Sequence, residues 1–211
     1  MKATAILPVK RFAAAKQRLE LDDERRAVLV AAMLEDVLDA IDGSRMIERT
    51  IVVTGEAEAA ELAAARGAEI LPDPSDEGHL EAALIGIESA RQQGAQCVVL
   101  LPGDCPLLDP RELDSLLTGV GERYVAVVPD RHGSGTNALV LAPPDAIRPA
   151  FGEGSRERHV DAARSSGVPY SAEPVPSLAL DIDTPADLIA LARELDSGRG
   201  GARRTARAVG I

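Results

Sequence analysis

The sequence predicts an α/β fold of three layers, a Rossmann-like arrangement in which a mainly parallel mixed sheet carries helices on both faces. Short apolar segments rich in Val, Ile and Leu alternate along the 211 residues with longer segments of helical character. The apolar segments are mostly continuous, as is typical of strands that are covered on both faces. Alternating strands and helices favour parallel pairing with right-handed crossover connections. A chain of this length can bury one sizeable core, so we expect a single domain over residues 1–195.

Each element has its own signal in the sequence. The predicted strands are residues 4–7, 50–53, 69–71, 97–101, 124–128 and 138–141, and the predicted helices are residues 23–41, 56–66, 79–93, 111–117 and 156–165, with a last helix beginning near residue 185. Asp109 and Thr184 each precede a proline, which places a capping side chain before a proline at the first helical position. Gly67 and Gly94 follow two predicted helices, where glycine commonly ends the last turn.

The bulk composition excludes several classes of protein. A formal net charge of −11 argues against general nucleic-acid binding. No apolar run approaches the ~20 residues of a membrane helix, and the first apolar run is too short for a secretion signal. Cys97 and Cys105 match neither a disulfide framework nor a zinc spacing, so we expect a cytoplasmic protein with free thiols. Residues 196–211 are rich in Gly and Arg and are predicted to form a basic, disordered tail.

A cluster of cations follows the first predicted strand. Lys10, Arg11, Lys16 and Arg18 lie within nine residues of an otherwise acidic chain. In sheets of this type, ligands bind outside the carboxyl ends of the strands. Lys and Arg at such a position can neutralise the oxygens of a triphosphate as a bond to phosphorus forms and breaks. A solvated basic loop is the alternative, and the position directly after the first strand favours the phosphate site.

Three aspartates are candidate metal ligands. Asp104 follows the predicted strand 97–101 and is held between a glycine and a proline, a suitable place for a ligand of Mg²⁺, although a turn aspartate is the alternative. Asp181 and Asp183 are two residues apart, so in an extended backbone their side chains point to the same side. Like charges at this spacing repel unless a cation lies beside them. Asp183 has a second interpretation, as the cap of the helix near residue 185.

Two glycine-rich turns indicate a second anion site. Residues 133–137 and 151–156 combine glycines with hydroxyls and exposed amides, which suit a phosphate or a carboxylate. The second turn precedes a predicted helix, whose amino end favours an anion. Either turn alone could be a plain hairpin turn, but together with the cations and aspartates they indicate an anionic group beside the nucleotide.

Two other features have weaker signals. Residues 72–80 could line a base or ribose pocket. Cys105 is not expected to be a nucleophile, because it lacks the histidine partner of a catalytic thiol.

Taken together, five segments resemble the 2-phospho-L-lactate and phosphoenolpyruvate guanylyltransferases of deazaflavin coenzyme biosynthesis. The segments are Leu7-Pro8-Val9-Lys10 with Lys16 and Arg18, residues 101–107, residues 135–137, residues 151–155 and residues 181–185. The resemblance covers residues 1–195 in order, and the combination is far more specific than any single segment. It implies the nucleotide-diphospho-sugar transferase fold, of the GT-A type. It also implies transfer of GMP from GTP to a small phosphorylated acid, with release of pyrophosphate.

The resemblance also assigns roles to residues of this chain. It implies that Asp104, Asp181 and Asp183 hold one or two Mg²⁺ ions. The phosphorylated acid would be bound by Thr136, Gly152 and Ser155. The nucleotide would be bound by Leu7, Pro8, Val9, Lys10, Lys16, Gly78, Pro102 and Gly103, and the catalytic residues would be Lys10, Lys16, Arg18 and Asp104, with the three cations facing the nucleotide phosphates. The family's usual Gly-Leu-Asn is replaced here by Gly78-His79-Leu80, so the strictness for guanine stays open.

Several alternatives stay open at this level. Phosphoenolpyruvate, 2-phospho-L-lactate and 3-phosphoglycerate differ by few atoms, and the same pocket residues would serve all three. A transferase of the same fold could act on a sugar phosphate or a molybdopterin-type acceptor, and a non-catalytic nucleotide-binding protein could keep the pocket. The activated product is expected to be short-lived, which favours coupling to the next enzyme of the pathway. The oligomeric state is not predicted.

Overall fold

The apolar segments form one seven-stranded sheet in the computed structural model, which describes residues 1–74, 78–198 and 201–210. The strands are β1 (Ala3–Val9), β2 (Ile47–Thr54), β3 (Glu69–Pro72), β4 (Val98–Leu100), β5 (Tyr124–Pro129), β6 (Thr136–Ala142) and β7 (Tyr170–Ser171). The helices are α1 (Asp23–Asp42), α2 (Ala57–Ala64), α3 (His79–Gln92), α4 (Pro110–Leu117), α5 (Ser155–Ser165), α6 (Pro185–Asp196) and α7 (Arg203–Val209), and short 3-10 helices cover Phe12–Ala14 and Pro176–Leu178.

The sheet is mixed and mainly parallel, as predicted. Its strand order is β3-β2-β1-β4-β6-β5-β7. The strands β1 to β4 are mutually parallel, β6 runs antiparallel to both β4 and β5, and β7 is parallel to β5. The carboxyl ends of β1, β3, β4 and β5 therefore meet the amino end of β6 at one edge of the sheet. β7, of two residues, was not predicted, because so short a strand leaves no run of apolar residues.

Helices cover both faces of the sheet. Because side chains alternate along a strand, β1 contributes Ala5 and Leu7 to one core and Ile6 to the other. The first core also contains residues of α1, α2, α4 and α6, and the second contains residues of α3 and α5. α3 approaches β1 so closely that a Cβ atom at Gly86 would lie 2.4 Å from Cγ2 of Ile6. The predicted three-layer arrangement is thus confirmed.

The end of the chain differs from its sequence-based prediction. The sequence predicts a disordered tail over residues 196–211, but residues 203–209 form a helix, α7, that packs against α1. Of the predicted tail, Arg199, Gly200 and Ile211 lie outside the described residues. The reason is a polar contact that composition does not reveal. Asp36 of α1 accepts hydrogen bonds from the backbone N–H of Arg204 (3.1 Å) and from the N–H and hydroxyl of Thr205 (2.8 and 2.7 Å). Asp36 thereby caps the first turn of a helix distant in sequence.

Replacing Asp36 by alanine is expected to lower the free energy of unfolding by about 1 to 3 kcal/mol, because it leaves the fully buried Thr205 without its acceptor. Thermal unfolding should show a melting temperature lower by roughly 2 to 10 °C. Asp39→Ala on the same helix is the control, because Asp39 is half exposed and its pairs with Arg66 and Arg204 lie near the surface. Equal effects of the two substitutions would contradict the capping role of Asp36.

The structure also bears on the predicted free thiols and on the membrane helix that the composition argues against. Cys97 and Cys105 are free thiols and both are buried. Among the described residues, no helix combines the length and the apolar character needed to cross a bilayer.

Candidate active site

Two adjoining cavities open at the edge of the sheet where β1, β4 and β5 end. The first has a volume of about 300 Å³ and is lined by the loop after β1, by residues of α1 and by the residues after β4. The second has a volume of about 500 Å³ and is lined by the turn between β5 and β6 and by the segment before α5. Four residues line both cavities: His79, Pro102, Asp104 and Asp183. The cavities are therefore neighbours that share one wall.

The shared wall brings together aspartates from distant parts of the chain. The backbone N–H of Ile182 donates a 3.1 Å hydrogen bond to the carbonyl oxygen of Asp104, which fixes residues 181–183 beside the end of β4. The ammonium of Lys16 contacts the carboxylates of both Asp104 and Asp183, with Nζ 2.6 Å from Oδ1 of Asp183. Lys16, Asp104 and Asp183 thus form one cluster, and Asp181 lies in the wall of the second cavity.

The charges of this cluster are strongly coupled. Burial alone would lower the pKa of Lys16, but attraction and hydrogen bonds from Asp104 and Asp183 outweigh it and raise that pKa. Burial and the nearby Asp104 raise the pKa of Asp181. Oδ1 of Asp104 is buried and has no hydrogen-bond partner within the described ranges. A carboxylate oxygen in this position is available to a cation.

In the part of the chain that the structure describes, no three His, Cys, Asp or Glu side chains are grouped closely enough to hold a metal ion. The ammonium of Lys16 contacts both Asp104 and Asp183 and offsets part of their negative charge. Any ion that used these carboxylates would have to compete with Lys16.

The geometry separates the two interpretations of Asp183. The start of α6 has a capping box, formed by Thr184 and Asp187. The Asp187 carboxylate accepts hydrogen bonds from the backbone N–H groups of Asp183 (3.0 Å) and Thr184 (2.7 Å), and it pairs with Arg131. The side chain of Asp183 is therefore not needed for capping and contacts Lys16 instead. Asp187 was not predicted, because a capping acid inside a helix does not signal a site in the sequence.

The second cavity presents hydroxyls and a helix amino terminus. Ser155 begins α5, and its Oγ donates a 3.2 Å hydrogen bond to Oγ1 of Thr136 at the start of β6. Gly152 and Gly154 have φ values of +100° and +68°, a conformation that glycine adopts at little cost. They allow the chain to turn sharply, so that the first turn of α5 faces the cavity. Thr136, Gly152 and Ser155 all line this cavity.

The other predicted site residues fall into three groups. The first cavity is lined by Pro8, Val9, Lys10, Lys16, Pro102 and Gly103. Arg18, which was expected to face the nucleotide phosphates, lines the second cavity instead. Leu7 is fully buried in the core, and Gly78 precedes α3 without lining either cavity. Residues 75–77 of the predicted base or ribose segment lie outside the described residues.

Two lining residues, His79 and Asn137, lie in segments predicted to line the site, but their individual contacts had no signal in the sequence. His79 packs its ring edge-on against Phe151, with centroids 4.7 Å apart, and burial lowers its pKa. Its place in the shared wall follows from α3 starting beside the end of β4, which a lone histidine does not indicate. Asn137 donates hydrogen bonds to the carbonyl oxygen of Leu178 (2.7 Å) and to Oδ1 of Asp181 (3.3 Å), joining β6 to the aspartate segment.

Cys105 is not a candidate nucleophile in this geometry. Its thiol is completely buried and lies 3.6 Å from the carbonyl oxygen of Leu178. Burial and the nearby Asp104 raise the pKa of this thiol well above its ordinary value. A buried, protonated thiol is inert, so Cys105 is a core residue.

The sequence of this chain is similar to a known protein family and to named relatives over most of its length. Residues 3–197 match the family described as guanylyl transferase CofC like. The phosphoenolpyruvate guanylyltransferase of Conexibacter woesei is 44% identical over 209 residues, which cover 97% of this chain and 94% of that protein. The protein of the same name from Sphaerobacter thermophilus is 43% identical over 194 residues, covering 91% and 93% of the two chains.

Solved structures resemble this one in fold. A protein from Desulfovibrio desulfuricans is described as a nucleotide-diphospho-sugar transferase. Its structure superposes on this one with a TM-score of 0.75 at 20% identity, covering 98% of this chain and 95% of its own. A cytidylyltransferase from Leptospira borgpetersenii superposes with a TM-score of 0.64 at 16% identity, covering 99% and 93%. Both neighbours support the nucleotide-diphospho-sugar transferase fold.

Proposed function

The chain belongs to the family of CofC-like guanylyl transferases, and on this premise we propose that it transfers GMP from GTP to phosphoenolpyruvate. A phosphate oxygen of the acid attacks the α-phosphorus of GTP, the bond from the α-phosphorus to the bridging oxygen breaks, and pyrophosphate leaves. The product contains a new diphosphate bridge. Such a product fits the place in deazaflavin coenzyme biosynthesis that the resemblance implies.

The observation that carries this proposal is the pair of cavities with one shared wall. The first cavity carries Lys10 and Lys16 and suits the nucleotide phosphates. The second carries Thr136, Ser155 and the amino terminus of α5 and suits a phosphorylated acid. Because Asp104 lines both cavities, the two proposed binding regions are neighbours. Catalysis then rests on alignment and charge stabilisation, and no protein nucleophile is needed.

We include Mg²⁺ in the proposal, with Asp104 as its main ligand and Asp181 or Asp183 as further ligands. The residues present fit such an ion, because Asp104 keeps a buried carboxylate oxygen without a hydrogen-bond partner among the described residues. The cluster also attracts a cation, since the ammonium of Lys16 already lies against two of its carboxylates. When bound, Mg²⁺ neutralises phosphate charge and polarises phosphoryl oxygens. Lys10 and Lys16 add positive charge on the nucleotide side.

The test is to incubate the protein with GTP, Mg²⁺ and one acid at a time, and to follow pyrophosphate release. Phosphoenolpyruvate, 2-phospho-L-lactate and 3-phosphoglycerate are the acids to compare, each with and without the next enzyme of the pathway to consume the product. We expect the fastest release with phosphoenolpyruvate. Turnover only with a sugar phosphate or a molybdopterin-type acceptor, or GTP binding without turnover, would refute the proposal. The names of the relatives do not favour these alternatives.

Ser155→Ala is expected to raise the KM for phosphoenolpyruvate roughly tenfold or more, and to leave the KM for GTP within about twofold. The reason is that Ser155 lines only the second cavity and its hydroxyl donates to Oγ1 of Thr136, so the substitution releases the Thr136 hydroxyl that would bind the acid; a hydrogen bond to a charged group contributes about 1.5 to 3 kcal/mol. Initial rates at varied concentrations of each substrate measure both constants. Ser165→Ala, at the exposed far end of the same helix, is the matched control. Equal changes in the two KM values would remove Ser155 from the acid site.

A further inference from the structure

A buried histidine lies directly behind the second cavity and lines neither of the two. His159 of α5 is 0% exposed. Its Nδ1 lies 3.0 Å from Oγ1 of Thr136, and its Nε2 accepts a 2.8 Å hydrogen bond from the backbone N–H of Ala150. Phe151 packs against its ring with centroids 5.3 Å apart and an interplanar angle of 74°. Both ring nitrogens are thus bonded, and the ring is packed against Phe151.

The hydrogen bond from Ala150 determines the tautomer. A backbone N–H can only donate, so Nε2 of His159 must offer its lone pair. Burial, with a smaller effect of Arg158, lowers the pKa of His159 to about 4, so the ring is neutral near pH 7. A neutral imidazole carries one proton, which must then be on Nδ1. His159 therefore donates to Thr136.

The direction of this bond determines what Thr136 can do. Its Oγ1 accepts one hydrogen bond from Nδ1 of His159 and another from Oγ of Ser155. A hydroxyl has two acceptor lone pairs and one proton, so both lone pairs of Thr136 are used. The remaining O–H can act only as a donor, and Thr136 lines the second cavity. An anion in this cavity would thus meet a donor that needs no reorientation.

We propose that His159 is a positioning residue that holds the Thr136 hydroxyl as a fixed hydrogen-bond donor to the acid in the second cavity. The inference rests on the proposed function, since that function places the acid there. His159 touches no substrate itself. Its effect is to orient a group that does, and it should appear in the binding of the acid and not in that of GTP.

Two substitutions of His159 test the contributions of its two ring nitrogens separately. In His159→Asn the side-chain amide N–H takes the place of Nδ1–H and keeps the donor to Thr136. In His159→Gln the amide oxygen takes the place of Nε2 and keeps only the acceptor for Ala150. We expect the KM and the Kd for phosphoenolpyruvate to rise roughly tenfold in His159→Gln and to stay within about threefold in His159→Asn. The KM for GTP should be unchanged in both.

A combined substitution tests whether His159 acts through Thr136. In a Thr136→Val background, His159→Gln should raise the Kd for the acid no further, because the oriented hydroxyl is already absent. A purely structural histidine would instead weaken the binding of both substrates to a similar degree, or add its effect to that of Thr136→Val. Either result would overturn the inference. If the variants alter acid binding as expected but the wild-type protein releases no pyrophosphate from GTP, the proposed function fails and the inference stands.

The tautomer can be observed without any substrate. The chain has three histidines, and His159→Asn identifies the signals of His159 by their loss. We expect ¹⁵N-edited spectra of the imidazole groups at neutral pH to show His159 neutral with its proton on Nδ1. A ring protonated on Nε2, or on both nitrogens, would overturn the inference whatever the enzyme turns over.

Discussion

Replacing Asp104 by asparagine is expected to lower kcat by roughly 100- to 1000-fold, the equivalent of several kcal/mol of lost transition-state stabilisation. Asp104 lies in the wall shared by both cavities and keeps a buried carboxylate oxygen with no partner in the described part of the chain. A neutral amide binds Mg²⁺ poorly, because this hard ion prefers charged oxygen ligands. The fold should survive, since the bond from Ile182 uses the backbone carbonyl of Asp104, which the substitution retains.

The measurement is the initial rate of pyrophosphate release as a function of magnesium concentration. Glu122→Gln is the matched control: it also converts a carboxylate to an amide, but at an exposed position before β5, at the opposite end of that strand from the site. We expect the control to match the wild type at every magnesium concentration. Full activity of Asp104→Asn at limiting magnesium would show that Asp104 is not a ligand.

The layers of the fold could be predicted because they depend on local patterns. The strands around Leu7, Val52 and Val99 are continuous apolar runs, and all three residues are completely buried in one core. The helix at Asp109-Pro110 begins where its cap and proline indicate. β7 and α7 could not be predicted in this way. α7 depends on Asp36, a buried residue that is distant in sequence and accepts hydrogen bonds from the first turn of α7.

The candidate site could be predicted to the level of segments, because ligand groups follow strand ends in this type of sheet. The contacts between side chains of different segments could not be predicted. Lys16 contacts Asp104 and Asp183, which are 88 and 167 residues away in sequence, and only the folded chain brings them together. Likewise, Arg18 belongs to the same basic loop as Lys10 but lines the other cavity. The sequence indicates which charges are present at the edge of the sheet, while the backbone determines which cavity each one faces.

His159 is a further residue whose proposed role could not be predicted from the sequence. Its sequence neighbours give no sign of a role, and no motif of the chain requires a histidine there. Its position behind Thr136 depends on the turn that Gly152 and Gly154 allow before α5. A residue that acts through another is therefore recognised by its hydrogen bonds rather than by its sequence context.

Replacing Lys16 by methionine is expected to change how the protein responds to magnesium in the absence of nucleotide. The ammonium of Lys16 is nearly buried and pairs with both Asp104 and Asp183, so its removal leaves two carboxylates without their shared cation. Because both carboxylates are partly exposed, we expect a loss of stability of only about 1 to 3 kcal/mol, or roughly 2 to 10 °C in melting temperature.

Mg²⁺ should recover more of this loss in Lys16→Met than it adds to the wild type, because ion and ammonium compete for the same carboxylates. Melting temperatures measured across a magnesium titration give both effects, and Lys2→Met, an exposed lysine at the start of the chain, is the control. An equal rise with magnesium in the wild type and in Lys16→Met would mean that the ion does not use Asp104 and Asp183. Activity should fall by more than about tenfold in Lys16→Met even at saturating magnesium, because the positive charge on the nucleotide side of the shared wall is then missing.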